Sequence, residues 1–137
     1  MTRAFDPDIG PVVSVTVSDP YSSRPEFDSP RIEKVTMLLD TGATDSALKG
    51  YIIDCLGLSV LGLHGVHSWG PDAEPSLQHS ADLEIHLDFD EVKEFMDWKL
   101  FRFRPDYDKI DGVIGRDILN FSKFALDGPG RQFTLEF

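Results

Sequence analysis

Leu38-Leu39-Asp40-Thr41-Gly42-Ala43 is the stretch on which the reading of this chain turns. An apolar run, Val35 to Leu39, ends there in Asp-Thr-Gly. That pattern describes a buried strand delivering a carboxylate onto a tight turn. A second segment lies far downstream: Asp111-Gly112-Val113-Ile114-Gly115-Arg116-Asp117-Ile118-Leu119. Its short apolar run ends in Gly-Arg and reads as a strand able to pass close beside the first.

The rest of the chain is mostly short strands and turns. Val13, Val15 and Val17 alternate with Ser14 and Thr16, the pattern of a half-buried strand. Residues 19–34 carry Pro20, Pro25 and Pro30 and are expected to form an exposed loop. Between Asp45 and Leu58, the spacing of Tyr51, Ile52, Cys55 and Leu56 predicts one short helix, with Gly57 as its stop. Leu77, His79, Ala81, Leu83, Ile85, Leu87 and Phe89 alternate with polar residues over the clearest strand in the sequence. With the run from Leu61 to Gly70 it is expected to make a long hairpin, residues 61–87, turning near Pro71. Phe95 to Phe103 reads as a central strand, Val113-Ile114 as a short buried one and Arg116 to Phe121 as a short helix. Lys123–Asp127 and Arg131–Phe137 flank Gly128-Pro129-Gly130 as a final hairpin. These elements predict a single all-β domain over residues 1–137, a closed or partly open barrel with one or two short helices.

Asp-Thr-Gly alone is a weak signal, so its setting must carry it. Here an apolar strand precedes it, a small residue follows, and the apolar-apolar-Gly-Arg segment lies downstream with a long hairpin between. Over nearly the whole chain this arrangement resembles the retropepsin-like aspartic peptidases, the family that includes the retroviral proteases. The resemblance implies an acid-protease barrel that works as an obligate homodimer. This chain holds one Asp-Thr-Gly, and the chemistry needs two aspartates, so each subunit would supply one Asp40. Thr41 and Gly42 would support the two turns, with the Thr41 hydroxyl bonding across the dimer. Ala43, Thr44, Asp45 and Ile114 would contact substrate. Residues 61–87 would be the flap, with His67, Ser68, Trp69 and Gly70 near its tip. Arg116 would steady the dimer. In the viral enzymes its acidic partner directly follows the small residue; here that position is Thr44 and the next is Asp45. The ending, residues 131–137, would be the intersubunit strand, with Phe133, Leu135 and Phe137 at the seam and residues 1–10 as an N-terminal arm.

The activity implied is hydrolysis of peptide bonds in an extended polypeptide, by water activated between two Asp40 carboxyls, with no metal and no cofactor. Two other readings stand beside it. One is a dimerisation or peptide-binding module that kept the fold without useful turnover; the other is a processing protease excised from a longer polyprotein.

Composition excludes several classes. With 24 acidic and 13 basic residues the net charge is −11, so most of the surface would repel a phosphate backbone, and nucleic acid is an unfavoured partner. No stretch is long and apolar enough to span a bilayer, and residues 1–10 lack a secretory pattern; the expected location is the cytoplasm. A single cysteine excludes an intramolecular disulfide, and its helical setting reads Cys55 as a small buried hydrophobe. His64, His67 and His79 match no zinc spacing. Asp106, Asp108 and Asp111-Gly112 do not complete a calcium loop. No serine sits in a nucleophile elbow.

Overall fold

The alternating valines form β2 (Val12–Ser18), and Val13, Val15 and Val17 are all buried. Successive strand residues point to opposite faces, so this alternation places one face against a core. The computed structural model describes residues 1–26, 29–64, 76–103 and 108–137. In chain order the other elements are β1 (Thr2–Ala4), β3 (Ile32–Leu39), β4 (Ala47–Lys49), α1 (Gly50–Leu56), β5 (Val60–His64) and β6 (Ser76–His86). They continue with β7 (Val92–Phe103), β8 (Gly112–Ile114), α2 (Arg116–Leu119), β9 (Lys123–Asp127) and β10 (Gln132–Glu136). None of the described helices is long and apolar enough to cross a membrane.

Six strands close a barrel. β2 pairs antiparallel with β3, β3 parallel with β8, and β8 antiparallel with β4. β4 runs parallel to β7, β7 antiparallel to β6, and β6 returns antiparallel to β2. β6 is long enough to serve two neighbours along one edge: its second half meets β2, and its first half meets β5. Closure removes the barrel's own sheet edges. The interior is filled by Met37, Leu39, Leu83, Ile85, Leu100 and Ile114, with Ile52, Ile53 and Leu56 of α1 packed onto it. Each such side chain contributes about 1.5–3 kcal/mol on burial.

Local chemistry explains where the helix lies. α1 starts only at Gly50, because Ala47–Lys49 are drawn into the barrel as β4 between β8 and β7. The helix expected from Asp45 is shortened accordingly. It ends where Gly57 takes the left-handed conformation (φ 61°) and Leu58 donates back to the Ile53 carbonyl at 3.2 Å. Cys55 lies on the outer face of α1 and is exposed, which corrects its reading as a buried hydrophobe. The proline-rich loop is shorter than expected, since Ile32–Lys34 already pair with β2.

A second, three-stranded sheet runs β1–β10–β9, all antiparallel. Phe133 and Leu135 of β10 are 1% and 0% exposed, and Phe5 and Phe124 pack against the same core. Two expectations bear on this sheet. The N-terminal arm holds a strand, joined to β10 by the register Thr2↔Thr134, with the two hydroxyls 3.0 Å apart. And β10 has neighbours of its own chain on both sides, so Phe133 and Leu135, expected at an intersubunit seam, are buried in this chain's own core. Phe137 is partly exposed and meets Phe95 edge-on at 5.7 Å.

Candidate active site

β3 carries buried Leu39 to the barrel's end, and Asp40 follows, half-buried. Parallel pairing with β8 sets Leu39 against Ile114, and the Asp40 N–H donates to the Ile114 carbonyl at 3.0 Å. The chain then turns. The Ala43 N–H donates to the Asp40 carbonyl at 3.2 Å, and the Gly42 N–H to Asp40 Oδ1 at 2.8 Å. The carboxylate is thus oriented by a backbone donor two residues along, a charge-assisted bond. A Cβ on Gly42 would lie 3.0 Å from that same oxygen, so the turn is close-fitting.

The segment from β8 into α2 clamps this loop. The Arg116 and Asp117 N–H groups donate to the Ala43 and Thr44 carbonyls at 2.9 and 3.1 Å. Gly115 makes the approach possible: a Cβ there would fall 2.6 Å from the Asp45 carbonyl carbon and 2.7 Å from its oxygen. Arg116 reaches over the loop, donating from Nη1 to the Thr41 carbonyl (2.9 Å) and from Nη2 to Thr44 Oγ1 (3.1 Å). Among the described residues, the hydrogen-bond partners of Arg116 are therefore a carbonyl and a hydroxyl of the Asp40 loop, where an acid was expected.

Three residues that sequence reasoning did not single out hold this clamp. Ser46, fully buried, donates from Oγ to Asp117 Oδ1 at 2.8 Å and accepts the Gly115 N–H at 3.0 Å. Trp98 of β7 donates its indole N–H to Asp117 Oδ2 at 3.0 Å. An aspartate directly before the buried pair Ile118-Leu119 was the available signal, since a partly buried carboxylate needs donors.

Asp45 is exposed on its outer side yet crowded on its inner one. Desolvation, then repulsion from Asp117, raises its carboxyl above the ordinary range, and Arg116 partly offsets this. On the barrel wall His79 is 1% exposed; its Nδ1 lies 3.2 Å from the Leu58 carbonyl, and Arg102 Nε donates to its Nε2 at 3.3 Å. That donation leaves Nδ1 as the protonated nitrogen. Arg102 also pairs with Asp54, whose carboxyl is held below the ordinary range by that hydrogen bond. Among the described residues no group of three or more His, Cys, Asp or Glu converges as a metal site.

The sequence-selected residues divide clearly. Thr41, Gly42, Thr44, Asp45 and Arg116 are exposed around half-buried Asp40, with Ala43 half-buried behind them. Ile114 is 0% exposed and packs in the core, so its side chain does not line a cleft; its carbonyl anchors Asp40 instead. β5 and β6 form the stem of the expected flap hairpin. His67, Ser68, Trp69 and Gly70 lie outside the described residues.

Neither known family models nor the sequences of curated proteins match this chain. Solved structures do. A retropepsin-like aspartic protease from Rickettsia conorii superposes with a TM-score of 0.61 at 18% identity, covering 98% of this chain and 88% of its own. The retroviral protease-like domain of Ddi1 from Leishmania major aligns over 91% of this chain and 88% of its own, at 13% identity and a TM-score of 0.47. With a closed barrel, and β3 and β8 brought side by side at Asp40, this chain has the fold of the retropepsin-like aspartic proteases.

Proposed function

We propose that two copies of this chain form an aspartic endopeptidase that hydrolyses peptide bonds in extended polypeptides. The observation that carries this reading is Asp40 itself. Its carboxylate leaves the end of a core strand, is oriented by the Gly42 N–H, and sits in a loop clamped by Gly115, Arg116 and Asp117. Catalytic groups need this kind of positioning by a rigid scaffold.

One carboxyl per chain sets the mechanism. Two Asp40 side chains facing across a two-fold axis cannot both ionise at short range, so the pair shares a proton. The ionised member takes a proton from a water held between them as that water attacks the scissile carbonyl. The protonated member donates to the carbonyl oxygen, giving a tetrahedral diol, and the pair then protonates the departing amine. The substrate would lie as a strand between this pair and the β5–β6 hairpin, which would close over it as a flap. Arg116, holding Thr41 and Thr44, would fix the loop from which both substrate and partner are met.

The test is cleavage of a diverse peptide library at mildly acidic pH, wild type beside Asp40→Asn. Cleavage that rises with chain concentration as a dimer requires, and falls at least about a thousandfold in the variant, supports the reading. A folded, dimeric wild type with no Asp40-dependent cleavage over a wide pH range would instead make this a peptide-binding or dimerisation module.

A further inference from the structure

Asp82 stands on the outer face of β6 and is nonetheless buried. Ala81, Leu83 and Ile85 turn into the core, so alternation places Asp82 outside with Glu84 and His86. Those two are half-buried, whereas Asp82 is 7% exposed. The proline-rich loop after β2 covers it. A turn of 3₁₀ helix in that loop, Tyr21–Ser23, donates the Tyr21 N–H to Asp82 Oδ2 at 2.8 Å. The other oxygen, Oδ1, accepts the Asp97 N–H of β7 at 2.8 Å. Ser22 Oγ donates in turn to Asp97 Oδ1. A carboxylate taken out of water needs donors, and here backbone N–H groups from two distant segments supply them.

Asp97 lies at a break in the β6–β7 ladder. Ala81 pairs with Trp98 and Leu83 with Phe95, so Met96 and Asp97 together stand opposite Asp82 alone. The extra residue makes a bulge, and Asp97 absorbs it with φ at 51°, a left-handed conformation that aspartate tolerates better than most residues. The bulge decides which way Trp98 points. In a regular strand, residues three apart face opposite sides. Here Phe95 and Trp98 share the inner face with their partners Leu83 and Ala81, and the two rings meet edge-on at 5.1 Å between centroids. From that face the Trp98 indole N–H reaches Asp117 Oδ2 at 3.0 Å, and Asp117 holds Ser46 at the return of the Asp40 loop. Without the extra residue Trp98 would face outward and Asp117 would lose a donor.

We propose that Asp82 is a positioning residue for the Asp40 loop: by holding the β7 bulge, it aims Trp98 at Asp117. The proline-rich loop belongs to the same device, because its Tyr21 N–H and Ser22 hydroxyl fix Asp82 and Asp97 from outside the barrel. Each step is a direct contact. Asp82 binds the Asp97 N–H, Trp98 follows Asp97 in the chain, Trp98 binds Asp117, and Asp117 binds Ser46. Bulges beside active sites serve this purpose, turning a side chain toward the place where it is needed. This deepens the peptidase reading and rests on it only for the kinetic readout.

The test uses the full chain. The Trp98 indole N–H resonance is assigned by its loss in Trp98→Phe, which keeps an aromatic ring and removes the donor. Asp82→Ala should move that resonance toward its position in free solution and speed amide exchange at Ala43 and Arg116 about tenfold or more. In the peptide-cleavage assay it should lower kcat about tenfold or more with KM changed less than about twofold, the pattern of a displaced reacting group on an intact binding surface. Trp98→Phe should lower kcat to a similar degree, and the double variant should be no worse than either alone, because both cut one path. Glycine takes left-handed backbone without strain. Adding Asp97→Gly to Asp82→Ala should therefore let the bulge hold unaided and recover the resonance and most of kcat. Where Asp82→Ala does not fold, Asp82→Asn, which keeps one acceptor, carries the same comparisons. An unmoved indole resonance in the Asp82 variants, undiminished kcat in Trp98→Phe, losses that multiply in the double variant, or no recovery on adding Asp97→Gly would each overturn the proposal. A wild type without Asp40-dependent cleavage would remove the peptidase reading instead, and the resonance and exchange rates would then decide the role of Asp82 by themselves.

Discussion

The hydroxyl of Ser46 donates to the carboxylate of Asp117 at 2.8 Å, across 71 residues of sequence, and the serine is wholly buried. The same oxygen accepts the Gly115 N–H. One atom therefore ties the return of the Asp40 loop to both the close-packed glycine and the first turn of α2. Trp98 completes the arrangement from β7, so the loop is held by three separate parts of the barrel.

Replacing Ser46 with alanine removes a donor to a carboxylate and strands a buried N–H. Unfolding in urea should show a loss of about 1–3 kcal/mol. Threonine keeps the hydroxyl and should cost less. A Ser46→Ala chain as stable as wild type would mean that water or a shifted backbone satisfies Gly115.

Gly115→Ala should be more damaging than its size suggests. The added methyl meets Asp45 backbone atoms at 2.6–3.0 Å, and backbone cannot swing aside as a side chain does. Overpacking of this kind costs about 1–3 kcal/mol or more. The expected outcome is a destabilised chain whose Asp40 loop is displaced, visible as lost amide protection at Ala43 and Arg116. Unchanged stability and protection at those amides would contradict the packing described.

Asp45 gives a pH signature. Desolvation and Asp117 raise its carboxyl, so the folded chain binds this proton more readily than the unfolded chain. Stability therefore falls as pH rises from the ordinary carboxylate range through the raised value, and this contribution stays lost at neutral pH. Asp45→Asn removes it. The melting temperature of the variant relative to wild type should be near parity at pH 3 and shift in the variant's favour by pH 7. A difference that is flat, or that grows toward acid, would show that Arg116 outweighs the other two influences.

Phe133→Ala should destabilise the chain by about 3–5 kcal/mol, the usual cost of emptying a buried phenylalanine site. The ring is 1% exposed within a single chain, against Phe124 at 6.3 Å between ring centroids. The loss should thus be the same at low and high protein concentration. A deficit that shrinks as concentration rises would place Phe133 between subunits.

Strand alternation was readable wherever one face of a strand meets the core. Val13, Val15 and Val17, and later Leu83 and Ile85, announce their burial because period-two patterning is a local property of the chain. The Asp40 turn and the close-passing Gly115 were readable for a related reason: a tight turn and a near approach demand particular residues at particular places. β1 was not readable, since Thr2-Arg3-Ala4 alternates nothing and becomes a strand only because β10 lies beside it. β4 was absorbed into a helical reading, because Ala47–Lys49 have no strand signature and are claimed by two neighbouring strands.

The order of residues in the chain is enough to specify an all-β barrel with a single Asp-Thr-Gly turn, because hydrophobic period and turn chemistry act over a few residues. Which partners satisfy that turn is a matter of contacts between distant segments. Asp117 finds Ser46 and Trp98, Arg116 finds Thr41 and Thr44, and β10 is enclosed by β1 and β9 of its own chain only once the barrel has closed. Local patterning states that a group needs a partner; packing in three dimensions chooses the partner.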